Sequence, residues 1–138
     1  MRYTSLSMRE VSAALHDVAE DAWNTLRGLD EAGADAVATM HGIVHLLVNN
    51  SVISVAGTVE DLPVARIEDA MAVNFWGVVH GCRAFLRHLR AAVRRGEPAA
   101  ICNVLSDFAL FALPTKAAYA ASKHAARSVV DSTAEPPR

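Results

Sequence analysis

Cysteine is almost missing from this 138-residue chain: Cys82 and Cys102 are the whole complement. Two thiols without patterned spacing exclude a disulfide framework and a four-thiolate zinc site. Both lie in apolar stretches, where buried and inert thiols are common. Charge is sparse and balanced, with 13 Lys and Arg against 15 Asp and Glu, a net charge of −2 and a pI near 6.3. No global field therefore recruits nucleic acid or an anionic membrane, and a small molecule or a protein is the expected partner. Apolar runs stop far short of the roughly 20 residues that a membrane span needs. Met1 to Ser7 has no apolar core of a secretory leader, so the cytoplasm is the expected compartment. Six histidines are present, and His41 and His45 stand four apart. The second falls in a strand-like run, where that spacing defines no shared face, and no metal site is expected.

Apolar residues, by contrast, are plentiful. They make up 52% of the chain, mean hydropathy is +0.21 and only 20% of residues are charged, so much apolar surface has to be hidden. The length fits one domain, residues 1–138. Ser7-Met8-Arg9-Glu10 has the form of a capping box. Val11, Leu15, Val18, Ala22, Leu26 and Leu29 follow at helical spacing, which predicts a first helix over about 8–27. Gly28 and Gly33 break that pattern. Gly42 then precedes Ile43-Val44-His45-Leu46-Leu47-Val48, a short apolar run that reads as a buried parallel strand ending at Asn49-Asn50.

Gly57, Asp61 and Pro63 mark a loop at the carboxyl end of that strand, the edge where open α/β sheets bind ligands. Residues 64–95 carry one apolar stripe, Ile67, Met71, Val78, Cys82, Phe85 and Leu89, interrupted by Asn74. Arg83, Arg87, Arg90, Arg94 and Arg95 give this helix a basic stripe, read as a solvated face. Gly96-Glu97-Pro98 ends the helix, and 99–105 reads as a second buried strand leading into Ser106. Pro114 introduces a last helix over about 115–130, rich in small residues, and 131–138 forms a tail. The order helix, strand, helix, strand, helix is an α/β pattern with a right-handed crossover between parallel strands.

Tyr119 and Lys123 stand at i and i+4, so a helix projects both from one face, where an ammonium can stabilise a phenolate. Ser106 lies thirteen positions before Tyr119 at a strand end, and Asn74 sits on the intervening helix. Singly, each has an ordinary reading: a half-buried aromatic, a solvated helix lysine, a cap serine and a helix kink. Together they form a candidate proton-transfer centre.

Leu47-Val48-Asn49-Asn50, then Val73-Asn74 with Gly77, then Asn103-Val104-Leu105-Ser106, then Pro114 and Tyr119-Ala120-Ala121-Ser122-Lys123 together resemble the short-chain dehydrogenase/reductase family. The resemblance covers about 42–126. It implies a partial Rossmann-like, doubly wound parallel sheet, NAD or NADP as cofactor, and a small carbonyl or alcohol substrate. Tyr119 would be the general acid/base, Lys123 would hold the phenolate charge and the nicotinamide ribose, and Ser106 would bond the substrate oxygen. Asn74 would hold a water that connects Lys123 to solvent, and Asn49 and Asn50 would lie along the cofactor. The helices 64–95 and 115–130 would form a homo-oligomer interface, burying the small residues around Ala118 and Ala125.

The family's Gly-rich phosphate-binding turn has no counterpart here, and Ser51-Val52 stand where Ala-Gly usually follows the two asparagines. The expected architecture therefore lacks the N-terminal dinucleotide-binding half, with an open strand edge and one uncovered sheet face that favour association. NAD and NADP are not separable from sequence. The alternative to an enzyme is an inactive remnant of the family that serves as an interaction module.

Overall fold

The computed structural model describes residues 31–133. The first helix expected over 8–27 lies outside that range. The described elements are α1 (Glu31–His41), β1 (Leu46–Asn49), α2 (Val64–Met71), a π-helical turn (Ala72–Trp76), α3 (Gly77–Arg94), β2 (Ala100–Asn103), a 3-10 turn (Asp107–Ala109) and α4 (Ala117–Thr133).

α1 was not expected, because Gly33 reads as a breaker costing about 1 kcal/mol in a helix. Tertiary packing overrides that cost. Ala34 is fully buried against Ala84 and Phe85 of α3, with Val44 and Leu47 beside them. Arg87 of the basic stripe reaches Asp35 at 2.7 Å and Glu31 at 3.5 Å, exposed pairs that orient the helix more than they stabilise it. Gly42, at φ +84°, closes α1 in the left-handed conformation that side chains disfavour.

β1 and β2 pair in parallel, Leu46 with Ala100 and Asn49 with Asn103. The ladder is extended by the amides of Ala100 and Val104, which donate to the His45 and Asn49 carbonyls. Both strands were expected to be buried, but each alternates exposed and half-buried. Leu47, Asn49, Ile101 and Asn103 lie on the half-buried face. Leu46 is 57% exposed, Val48 is 50% exposed, and Cys102, read from sequence as a buried thiol, is exposed as well. A continuous apolar run suits a strand covered on both faces, whereas helix packing here favours one. Cys82 is buried as expected, and burial pushes its thiol up despite a bond from Asn49.

α3 is the central helix. Its buried stripe includes Val78, Cys82, Phe85 and Leu89, and burying Phe or Leu fully stabilises by about 1.5–3 kcal/mol each. Val78 and Cys82 pack on Ala126 of α4, with Ile101 and Leu105 beside them. Gly81 marks the closest approach of α3 to β1, where a Cβ would collide with Asn49 Oδ1. The expected single helix over 64–95 is one helical path with a π turn at the polar interruption, Asn74. It ends at Gly96 (φ +79°), where the Glu97 amide donates to the Ala92 carbonyl and the Gly96 amide to Val93, a Schellman closure.

The last helix was expected from about residue 115 but starts at Ala117. Thr115 has φ +67°, a left-handed conformation that a β-branched residue adopts only under strain. Its carbonyl accepts from the Gly57 amide at 2.9 Å, tying the start of α4 to the loop after β1. Ala118, expected at an oligomer face, is buried within the chain against Val55 and Ala70. The residue stripes leave Ala117 and Ala121 exposed in its place.

Candidate active site

The carboxyl ends of β1 and β2 lie side by side, and the expected site residues sort into two groups around them. The first group surrounds α4. One turn separates Tyr119 from Lys123, and the Lys123 ammonium sits 5.9 Å from the centre of the Tyr119 ring. Lys123 is 3% exposed. Its Nζ donates to the Val104 carbonyl at 3.3 Å, just before Ser106. Burial holds its pKa below the usual lysine value. An ammonium has three N–H donors, and Val104 accepts one; the other two have no acceptor among the described residues.

Ser106 caps the 3-10 turn. Its Oγ accepts from the Phe108 amide at 3.3 Å and donates to the Asp107 carboxylate at 2.9 Å. The hydroxyl thus faces Asp107 rather than Tyr119. Phe108 joins the two halves of this group, with its ring edge-on to the Tyr119 ring at 5.6 Å and 76°.

Asn74 is 1% exposed and acts as a clamp. Its Oδ1 accepts from the Ile53 amide at 2.9 Å, and its Nδ2 donates to the Ile53 carbonyl and to Ser122 Oγ, each at 2.9 Å. Ser122 Oγ donates in turn to the Tyr119 carbonyl at 2.7 Å. Both amide protons of Asn74 are used in this way. Ser122, fully buried, appears in the sequence only as part of the Tyr119–Lys123 motif, with no role of its own; its position between those two residues was the available signal.

The second group lies at β1. Asn49 Nδ2 donates to Asn103 Oδ1 at 2.7 Å and to Cys82 Sγ at 3.6 Å, so its side chain joins strand to strand and strand to α3. Asn50 is exposed. A cavity of about 200 Å³ is lined by Asn49, Asn50, Ser51, Val73, Gly77 and Gly81, among others. Tyr119, Lys123 and Ser106 do not line it. Val52 is 50% exposed.

His45 does have a carboxylate partner, Glu97, at 2.6 Å. No group of three metal-ligating side chains occurs among the described residues. None of the described helices is long and apolar enough to cross a membrane.

A family model described as short chain dehydrogenase matches residues 10–136. The chain belongs to that family. The match extends past the 42–126 over which the motifs are legible, on both sides. A Mycobacterium tuberculosis protein named as an oxidoreductase, SadH, is 41% identical over 100 residues, covering 72% of this chain and 35% of that protein. The 2-(R)-hydroxypropyl-CoM dehydrogenase of Xanthobacter autotrophicus is 37% identical over 109 residues, covering 75% of this chain and 42% of the other. A short-chain dehydrogenase/reductase from Burkholderia phymatum, solved in complex with NAD, has a TM-score of 0.67 at 33% identity, over 74% of this chain and 35% of that one. A gluconate 5-dehydrogenase from Burkholderia cenocepacia, solved with NADP and tartrate, has a TM-score of 0.65 at 29% identity, over 74% and 38%. The chain thus spans between a third and a half of the length of these relatives.

These short-chain dehydrogenases place the two-stranded sheet and its helices within a Rossmann-like α/β fold. Both of these solved relatives were determined with a nicotinamide dinucleotide, NADP in one and NAD in the other. The two unused donors of Lys123 suit ribose hydroxyls. Among the described residues no Gly-rich turn opens a helix toward a pyrophosphate.

Proposed function

We propose that the chain carries the acid/base centre of an NAD(P)-dependent oxidoreductase that interconverts a carbonyl and an alcohol. The observation that carries this reading is the Tyr119–Lys123 pair, with a buried ammonium over the tyrosine ring and two of its donors unused. Bound nicotinamide would supply or accept the hydride. The phenol of Tyr119 transfers the proton at the substrate oxygen, and Lys123 stabilises the phenolate form while its free donors hold ribose hydroxyls. Asn50 contributes the exposed amide on the β1 side. Ser106 turns from Asp107 to bond the substrate oxygen, the interaction that stabilises developing charge. Asn74 keeps α4 in place through Ser122.

Titration with NADH and NADPH followed by fluorescence, then turnover with carbonyl substrates, tests the reading. Tyr119→Phe is expected to lower turnover at least about a hundredfold, the usual contribution of a positioned acid/base, with cofactor affinity retained. No binding of either nucleotide at millimolar concentration would sink the proposal for this chain.

A second reading, an interaction module assembled on α3 and α4, is favoured by Trp76. This residue is 49% exposed and stacks on His80 at 5.8 Å, and Ala117 and Ala121 are exposed on α4. Light scattering separates the two states: an oligomer is expected, and a clean monomer at micromolar concentration removes this reading.

A further inference from the structure

We infer that Phe108 is the specificity-determining residue of this site, and that the substrate is an uncharged alcohol or ketone bearing an apolar group of ring size beside the reacting carbon. The inference rests on the proposed acid/base role of Tyr119 and deepens it.

Three observations point the same way. The Phe108 ring meets the Tyr119 ring edge-on, so a molecule presenting its oxygen to Tyr119 and Ser106 lies against Phe108. Phe108 is held at both backbone and ring. Its backbone amide donates to Ser106 Oγ and to Asp107 Oδ1 at 3.3 and 3.1 Å, and Phe111 packs against it at 5.5 Å. The wall that continues from it is apolar throughout: Leu110 is 64% exposed, Phe111 46% and Leu113 51%.

Charge argues against an anionic or sugar-like substrate group on this side. From Phe108 to Pro114 the chain has no side chain able to hydrogen-bond or carry charge. Neither nearby cation is aligned with the Phe108 wall: Lys116 Nζ lies at Ser54 Oγ of the loop after β1, at 3.2 Å, and Lys123 is buried against the Val104 carbonyl, with its two remaining donors assigned above to the ribose. The one charged group at Ser106 is the Asp107 carboxylate, which repels a second anion. Aromatic walls of this kind reward apolar and ring-bearing ligands through edge and face contacts.

The test uses the full chain and two fluorinated probes observed by fluorine NMR, 4-fluoroacetophenone and 3-fluoropyruvate, each with and without NADH. The aromatic ketone is expected to broaden on binding and the keto acid to remain sharp. Phe108→Ala should weaken the ketone about tenfold without gaining the keto acid, and Phe108→Leu, which preserves bulk, should keep the fold by circular dichroism while still losing several-fold. Ketone affinity unchanged in both variants, ketone binding absent altogether, or keto acid bound as tightly as ketone would overturn the inference. Ketone binding that depends on Phe108 in a chain that binds no NADH upholds the apolar wall and removes the oxidoreductase reading, so the two failures are distinct.

Discussion

Asn49 and Asn74 each join a helix to the β1 side of the molecule, yet they do different things. Asn49 is half-buried. It bonds a neighbouring strand and a thiol, and its carbonyl oxygen fills the space that a side chain at position 81 would need. Asn74 is buried at a π turn and holds the backbone of Ile53 on one side and Ser122, between Tyr119 and Lys123, on the other. The first junction therefore fixes how sheet and helix fit together. The second fixes where the Tyr119–Lys123 helix stands relative to the loop after β1. A π turn inserts one residue into a helix, and such turns recur at functional sites because they re-aim a side chain without ending the helix.

The contrast is sharpest at Asn74. Asn74→Ala should cost about 3 kcal/mol, since three hydrogen bonds vanish and the Ile53 and Ser122 groups lose buried partners. Urea unfolding measures the loss, and turnover should fall with it. A cost below about 1 kcal/mol would show that the clamp is not central. At the other junction Gly81→Ala should cost about 2 kcal/mol by overpacking. In an Asn49→Ala background the same change should cost well under about 1 kcal/mol, because the colliding oxygen is gone. Additive costs in that double-mutant cycle would separate Gly81 from Asn49.

The smallest effect concerns Lys123, and its sign is opposite. Its folded pKa is lowered by desolvation, so burying the charged form destabilises the fold at every pH below that folded pKa. The penalty shrinks as pH rises from the folded pKa to the unfolded one, and is absent above both. Lys123→Met should therefore raise the urea midpoint at neutral pH while removing the ammonium from Tyr119, and its advantage over the natural chain should narrow as pH climbs through that window. Equal midpoints at neutral pH would mean that the ammonium bears no burial cost. Stability yielded at a group of the proposed site is a common trade with function.

Much of this arrangement is legible in the sequence because it rests on short-range patterns. The two apolar runs give both strands and their parallel order. The i, i+4 spacing puts Tyr119 and Lys123 on one helical face, and Asn74 stands out as the polar break in an apolar stripe. What escapes is set by tertiary partners. α1 exists because Ala34 packs on Phe85, which nothing near Gly33 announces. The exposure of Cys102 depends on which face of the sheet the helices cover. Gly81 and Ser122 look like generic small residues until Asn49 and Asn74 are placed against them. The left-handed Thr115 follows from a bond to Gly57, fifty-eight residues earlier in the chain.

The parallel register also has a kinetic side. Asn49 and Asn103 bond side chain to side chain across 54 positions of chain, and no hairpin can bring such partners together early. Closing a loop of that size costs entropy before any ladder bond repays it. Helices α2 and α3 lie within that loop, and local helix formation shortens the distance the two strands have to close. Until the ladder forms, β1 and β2 present unpaired edges to other chains.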